Sequence, residues 1–181
     1  MNIYIVRHGQ TGNNFKNIFN GRYDEDINET GIEQAKKARE LIKDISFDKV
    51  YCSPLLRTRH TASIITEDKY PLIIDERLIE RECGELTHAP VDSVDREKYW
   101  NYYDEECYEK YPHLEKISSI FDRVFDFIED LKKDTESKNV LVVTHSGVAR
   151  SFWVYFNGLP EDGSLLIPTK QSNCEIKKYI I

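Results

Sequence analysis

The chain has 181 residues, 40% of them apolar and 31% charged, which suits one globular domain spanning residues 1–181 and disfavours a second. Its 25 basic and 32 acidic residues give a formal charge of −7, which disfavours general binding to nucleic acid or an anionic membrane. No stretch approaches the roughly 20 apolar residues of a spanning helix, and the apolar run 3–6 is too short for a signal peptide, so we expect a cytoplasmic protein.

The hydrophobic pattern predicts strands that alternate with helices along the chain. Strands are predicted at residues 3–6, 49–52, 72–74, 139–144 and 175–180. Helices are predicted over about 14 residues from Thr30, after residue 53, at 117–131 and at 147–157. This alternation is typical of a three-layer α/β/α sandwich with a largely parallel central sheet. Residues 85–114 form the irregular part of the chain.

Three local signals predict where helices begin and end. Thr30 and Glu33 have the spacing of a capping box at the start of the first helix. Ser53 is the predicted N-cap of the second helix, because Pro54 would follow at the first helical position, where its missing N–H costs nothing. Gly158 is predicted to close the last helix.

Basic and histidine side chains follow three of the predicted strands. Arg7 and His8 leave the first strand, His145 leaves the fourth, and Arg57 follows the second by a few residues. Ligands of open α/β sheets bind outside the carboxyl ends of the strands. We therefore expect two histidines and two arginines to meet at one edge of the sheet.

The segments around these residues resemble the motifs of the histidine phosphatase, or phosphoglycerate mutase-like, superfamily. The matching residues are Arg7-His8-Gly9-Gln10-Thr11 with Asn14, Tyr51-Cys52-Ser53-Pro54-Leu55 with Arg57, and Val142-Val143-Thr144-His145 with Gly147 and Arg150. The similarity covers most of the chain in the expected order and leaves residues 85–135 unmatched. Ser146 stands where the family usually has glycine, and Thr87-His88 replaces another frequent glycine, so the shape of the substrate pocket differs from the family pattern.

The resemblance implies a phosphoglycerate mutase-like fold and a phosphohydrolase that acts on small phosphomonoesters through a phosphohistidine. It assigns the nucleophile to His8, since a neutral imidazole attacks phosphorus and divides one difficult displacement into two. Arg7 and Arg57 would hold the phosphoryl oxygens through planar guanidinium groups and would disfavour protonation of His8. His145 would donate a further hydrogen bond to the phosphoryl group.

The leaving alkoxide also needs a proton. The family's acid lies four residues before a glycine, which corresponds to Glu80 ahead of Gly84, with Glu82 as the competing residue. Asn14 and the backbone N–H of Ser146 are further candidates for contact with the phosphate. The resemblance implies neither a metal ion nor a cofactor, and a small phosphorylated metabolite is the expected partner.

A cofactor-dependent phosphoglycerate mutase is the alternative function. Mutases of this family tend to be longer, with insertions and a tail that exclude water from the phosphoenzyme, whereas an open site in 181 residues favours hydrolysis. The chemical nature of the phosphomonoester and the oligomeric state do not follow from the sequence. The variable segment 85–114, which follows Glu80, is where this family sets its substrate specificity.

Three other mechanisms or functions are disfavoured. A cysteine phosphatase would use Cys52 and Arg57, but only four residues separate them where that family has five, and Pro54 removes an N–H from the loop. A metal-dependent hydrolase would need histidines at the spacing of metal ligands, which the remaining histidines, His60, His88 and His113, do not have. A non-catalytic phosphate binder has no need of the acid Glu80.

Two further groups of residues have structural interpretations. The four cysteines lie far apart without a Cys-x-x-Cys pair, which predicts reduced thiols. Aromatic residues are concentrated in the irregular segment, and for most of them packing is the predicted role. These residues are Tyr99, Trp100, Tyr102, Tyr103, Tyr108 and Tyr111.

Overall fold

One central sheet organises the computed structural model, which describes residues 1–181. Its strands are β1 (Asn2–Arg7), β2 (Lys49–Cys52), β3 (Leu72–Ile74), β4 (Asn139–Thr144) and β5 (Ile176–Ile180). They lie in the order β3-β2-β4-β1-β5, and every neighbouring pair is parallel except β1 and β5. The predicted, largely parallel sheet is confirmed.

Helices cover both faces of this sheet, which confirms the predicted three-layer architecture. They are α1 (Gly12–Phe15), α2 (Glu29–Ile42), α3 (Leu56–Thr66), α4 (Arg96–Tyr99), α5 (Glu106–Lys110), α6 (Ile117–Lys133) and α7 (Ser146–Asn157). The apolar side chains of α2 and α3 pack on one face, and those of α6 and α7 pack on the other. None of these helices is long and apolar enough to cross a membrane.

The alternation of side chains along the strands produces these two cores. On β1, Ile3 and Ile5 point to the α6 and α7 layer, whereas Val6 points to the α2 and α3 layer. On β4, Val142 likewise points to the α6 and α7 layer and Val143 to the α2 and α3 layer. All five side chains are fully buried. Residues 140–143 of β4 are all apolar and fully buried, as expected of a strand in the middle of the sheet.

Two helices begin away from the predicted positions. The N-cap of α2 is Asn28, whose side chain accepts a hydrogen bond from the Gly31 N–H at 2.9 Å, so Thr30 lies inside the helix. Helix α3 begins at Leu56 without a side-chain cap, because the Ser53 hydroxyl contacts another residue, described below. The predicted end of α7 at Gly158 is correct, and the N–H of this glycine donates to Val154 O at 2.8 Å.

Residues 85–114 contain turns and the two short helices α4 and α5. A small apolar cluster holds this segment together and consists of Cys83, Leu86, Tyr99, Cys107 and Leu114. Most of the aromatic residues here are packed, as predicted. For example, Tyr102 stacks on Phe121 with ring centroids 5.4 Å apart, whereas Tyr103 is 59% exposed.

Candidate active site

The register of the sheet brings the two motif histidines together. Arg7 of β1 lies opposite Thr144 of β4, so the next residues, His8 and His145, leave neighbouring strands at the same edge. Their ring centroids are 5.2 Å apart, and both side chains are buried. The contact between the two histidines follows from the pairing of β1 with β4, two strands that are far apart in sequence.

The imidazole of His8 is held with one nitrogen free. Its Nδ1 lies 2.7 Å from the Gly9 carbonyl oxygen, which can only accept, so Nδ1 carries the proton and Nε2 keeps its lone pair. Burial lowers the pKa of His8 well below 6.5, and the positive charges of Arg57 and Arg7 lower it further. His8 is therefore a neutral imidazole at neutral pH with an available Nε2.

Two buried guanidinium groups lie beside this ring. Arg57 donates from Nη1 to Tyr23 O at 2.7 Å and from Nη2 to Gly21 O at 2.8 Å, while Arg7 donates from Nη1 to Gln171 O at 3.0 Å. The Nε of each arginine is buried and has no protein partner. Burial lowers the pKa of both groups, and the negative charge of a nearby glutamate opposes this effect.

His145 is oriented by Ser53, a residue whose role the sequence analysis did not identify. The Ser53 Oγ lies 2.7 Å from Nε2 of His145 and accepts a long hydrogen bond from the Leu55 N–H at 3.4 Å. If the hydroxyl donates to Nε2, the proton of His145 resides on Nδ1, which is buried without a partner. The sequence signal for this role was the position of Ser53 directly after β2, at the same edge of the sheet as His8.

Glu80 closes the site from the side of α7. Its Oε2 accepts from the Ser146 N–H at 3.1 Å, and its Oε1 accepts from the N–H groups of Gly147 at 3.0 Å and Arg81 at 2.9 Å. A Cβ atom at Gly147 would lie only 2.6 Å from Oε1, so glycine is required for this approach. The Ser146 N–H was predicted to contact phosphate, but here it is engaged by Glu80, although Ser146 itself lines the cavity.

The competing glutamate, Glu82, is placed differently. One of its carboxylate oxygens, Oε1, accepts from the Gly84 N–H at 3.1 Å, and its own N–H donates to the Glu115 carboxylate at 3.0 Å. Glu82 therefore serves the turn that follows the site. It is not among the residues that line the cavity described next.

A cavity of about 310 Å³ opens at this edge of the sheet. The predicted residues that line it are Arg7, His8, Asn14, Arg57, Glu80 and Ser146. His145, predicted to donate to the phosphoryl group, contacts His8 but is not among the lining residues. The Oδ1 of Asn14 accepts hydrogen bonds from the Thr11 N–H at 3.3 Å and from Asn173 at 3.4 Å, which leaves the Asn14 amide NH₂ for a ligand. One pocket thus joins a free imidazole nitrogen, a carboxyl group and several buried donors.

The thiol of Cys52 lies outside this arrangement. Cys52 is fully buried in the core between the sheet and α2 and does not line the cavity. Burial raises the pKa of this thiol to about 12, whereas a nucleophilic cysteine needs a depressed pKa. The geometry therefore opposes a cysteine phosphatase mechanism, in agreement with the spacing argument.

Comparison with known proteins gives the same family as the motifs. The profile of the histidine phosphatase superfamily (branch 1) matches residues 3–180. The adenosylcobalamin/alpha-ribazole phosphatase of Escherichia coli is 30% identical over 166 residues, which cover 90% of this chain and 82% of that protein. A 2,3-bisphosphoglycerate-dependent phosphoglycerate mutase of Methylobacterium is 32% identical, over 87% of this chain and 81% of that protein.

A solved structure supports the same assignment. The alpha-ribazole phosphatase of Shigella flexneri superposes with a TM-score of 0.75 at 29% identity and covers 88% of this chain and 81% of that structure. The chain belongs to the histidine phosphatase superfamily. Its fold is phosphoglycerate mutase-like, and it is a phosphatase enzyme for which phosphomonoester hydrolysis fits the family.

Proposed function

We propose that the protein hydrolyses small phosphomonoesters in two displacements, with His8 as the nucleophile and Glu80 as the acid. The observation that carries this proposal is a set of buried donors without protein partners around the His8 ring: Arg7 Nε, Arg57 Nε and His145 Nδ1. A buried donor without a partner is costly, and a phosphoryl group has three oxygens that accept hydrogen bonds. Bound phosphate would supply acceptors to Arg7 and Arg57, both of which line the cavity.

The first displacement forms a phosphohistidine. His8 Nε2 attacks phosphorus while the bond to the ester oxygen breaks, and the carboxyl group of Glu80 gives its proton to the departing alkoxide. Arg7 and Arg57 stabilise the negative charge on the equatorial oxygens. In the second displacement Glu80 takes a proton from water, the water oxygen attacks phosphorus, and the bond to His8 breaks to release inorganic phosphate.

Residues 85–114 are proposed to be the cap that shapes the substrate pocket. Four residues of this segment, Val91, Arg96, Tyr99 and Trp100, line the same cavity as His8. A small phosphorylated metabolite is the proposed substrate, because the cavity is small and the chain carries a net charge of −7. The four cysteines are all free, which supports a cytoplasmic location for this enzyme.

Phosphate release separates hydrolysis from the mutase alternative. We expect purified protein to release inorganic phosphate from a panel of phosphomonoesters. With 3-phosphoglycerate and catalytic 2,3-bisphosphoglycerate, release of phosphate should exceed formation of 2-phosphoglycerate. Isomerisation that is faster than phosphate release would identify a mutase and contradict the proposal.

Arg57→Lys is expected to lower kcat/KM strongly, by about 10²-fold, because lysine keeps the charge but loses the planar group with several donors. The change also removes a donor to the carbonyl groups of Tyr23 and Gly21, so the thermal midpoint needs to be measured in parallel. The exposed Arg59, two residues further along α3, supplies the matched control Arg59→Lys. Equal activity of the two variants would remove Arg57 from the phosphate site.

A further inference from the structure

The proposed acid, Glu80, lies on a stretch of chain without regular secondary structure. Residues 79–83 connect two single turns of 3₁₀ helix, Glu76–Leu78 and Gly84–Leu86. A general acid must reach the leaving oxygen at hydrogen-bond distance. The main chain at Glu80 therefore needs support from other parts of the protein.

The side chain of Arg22 supplies part of this support. Its Nε donates to the backbone oxygen of Glu80 at 3.1 Å, and its Nη2 donates to Oε2 of Glu115 at 3.3 Å. Arg22 is not among the residues that line the cavity, so it can influence a bound substrate only through other groups. One guanidinium group thus joins the main chain of the acid to a carboxylate outside the cavity.

The Glu115 carboxylate accepts hydrogen bonds from two further residues. Arg123 donates from Nε to Oε1 at 3.0 Å and from Nη2 to Oε2 at 3.3 Å, and the Glu82 N–H donates to Oε2 at 3.0 Å. In return, the N–H of Glu115 donates to Glu82 O at 3.0 Å. The side chains of Glu115 and Arg123 are mostly buried. A network of this kind orders its members more than an isolated surface ion pair does.

Arg123 extends the network to the chain that precedes Glu80. Its Nη1 donates to Arg77 O at 2.6 Å, in the 3₁₀ turn before the acid. We call the side chains of Arg22, Glu115 and Arg123 the acid clamp. They contact the main chain at residues 77, 80 and 82, and none of the three lines the cavity. The acid clamp therefore holds the segment of Glu80 from outside the cavity.

The position of Arg22 in the sequence connects the acid clamp with the phosphate site. Its neighbours, Gly21 and Tyr23, provide the carbonyl oxygens to which Arg57 donates at 2.8 and 2.7 Å. Three consecutive residues thus contact both a proposed phosphate-binding side chain and the main chain of the acid. In the first displacement the leaving oxygen is bonded to the phosphorus that Arg57 helps to hold. The position of Glu80 relative to Arg57 therefore decides whether the proton reaches that oxygen.

We propose that Arg22 and Glu115 are positioning residues for proton transfer, which hold the Glu80 carboxyl group in place relative to the phosphoryl group at Arg57. This inference rests on the proposed phosphatase function, in which Glu80 is the acid. It goes beyond that function because it assigns a role in proton transfer to two side chains that do not line the cavity.

Two classes of substrate test this role, because only one of them needs the acid. The alkyl phosphate of the panel that the wild type hydrolyses fastest has a strongly basic leaving group, whereas p-nitrophenyl phosphate scarcely needs the proton. We expect Arg22→Gln to lower kcat/KM about tenfold on the alkyl phosphate and less than about threefold on p-nitrophenyl phosphate. The constant kcat/KM is the measure to use, since it contains only the steps up to departure of the alcohol. A general loss of packing would lower both values alike.

Glu115→Gln should give the same selective loss, because it removes the charge that pairs with Arg22. Asp134→Asn is the matched control. Asp134 pairs with Lys49 at 2.8 Å, and these side chains are 15% and 39% exposed, compared with 13% and 37% for Glu115 and Arg22. Asp134 precedes β4, at the end of the sheet opposite the cavity. The control should keep the wild-type ratio of the two kcat/KM values even if its thermal midpoint falls.

A double-mutant cycle shows whether Arg22 acts through Glu80. In the Glu80→Gln background the acid is already lost, so adding Arg22→Gln should change kcat/KM on the alkyl phosphate by less than about twofold. Losses that multiply would show that Arg22 acts independently of Glu80, and they would overturn the proposal. Arg22 is the most exposed member of the acid clamp, so its replacement is the change that the fold should tolerate best.

The Glu80→Gln variant separates this inference from the proposed function. A selective loss on the alkyl phosphate in Glu80→Gln, with equal losses on both substrates or none in Arg22→Gln and Glu115→Gln, would overturn the positioning role and leave the phosphatase function intact. No selective loss in Glu80→Gln itself, or no phosphate release from any phosphomonoester, would instead contradict the proposed function.

Discussion

His8→Ala is expected to abolish turnover, with a loss of kcat/KM of more than about 10³-fold, because the variant lacks the atom that bonds to phosphorus. Nε2 of His8 faces the cavity as a free lone pair, since Nδ1 is engaged by the Gly9 carbonyl. The low pKa of His8 keeps this lone pair unprotonated at neutral pH. Binding of inorganic phosphate by the variant, measured by calorimetry, checks that the donors of the site are still in place.

The covalent intermediate provides the direct test of this role. Rapid quenching of the wild-type protein with labelled substrate should trap protein-bound phosphate that is lost in acid and survives in alkali, as expected of a phosphoramidate. The label should be absent from His8→Ala and present in Cys52→Ser, because the Cys52 thiol is buried away from the cavity. Acid-stable label, or label on Cys52, would contradict the mechanism.

A chelator tests whether arginine side chains or a metal ion supply the positive charge at the phosphate site. Arg7 and Arg57 supply two guanidinium groups at the phosphate site, so full activity is expected in excess chelator. Activity that disappears with chelator and returns with a divalent ion would contradict this part of the mechanism.

Glu80→Gln is expected to lower kcat by about 10² to 10⁴-fold on alkyl phosphates, because the amide cannot supply a proton to the leaving alkoxide. The amide oxygen can replace Oε1 as acceptor from the N–H groups of Gly147 and Arg81, but the NH₂ group cannot accept from the Ser146 N–H. The thermal midpoint of the variant therefore needs to be measured in parallel. The loss should be smaller on aryl phosphates, whose leaving groups scarcely need the proton. A loss that is equal for both substrate types would argue against a role as the acid.

Glu82→Gln is the matched control for this prediction. Glu82 lies two residues away and carries the same carboxyl group, but its carboxylate serves the turn at Gly84 and it does not line the cavity. We expect this variant to keep near wild-type activity on alkyl phosphates. If it proves more damaging than Glu80→Gln, the assignment of the acid is wrong.

Local sequence patterns were sufficient for most of the secondary structure. The apolar runs of β1 and β4 and the helical spacing of α6 predicted these elements with small errors at their ends, because burial of one face or of both faces imposes the pattern on neighbouring residues. The helix starts predicted at Thr30 and Ser53 were wrong. The start of α2 is set by a local contact, the Asn28 side chain on the Gly31 N–H, whereas Ser53 contacts His145, a residue elsewhere in the chain.

The sequence by itself predicted which residues meet at the candidate site, since Arg7, His8, Arg57 and His145 lie at strand ends or in motifs that can be identified without coordinates. Only the tertiary structure placed Glu80 at the cavity and Glu82 outside it, because the two differ in which N–H groups their carboxylates meet.

Two further contacts also depend on the tertiary structure. The Ser53 hydroxyl contacts His145, and the Arg150 guanidinium lies over the Trp100 ring. Each contact joins residues from separate parts of the chain. Its geometry comes from the register of β2 against β4 and from the packing of the cap segment on α7, neither of which leaves a local signal in the sequence.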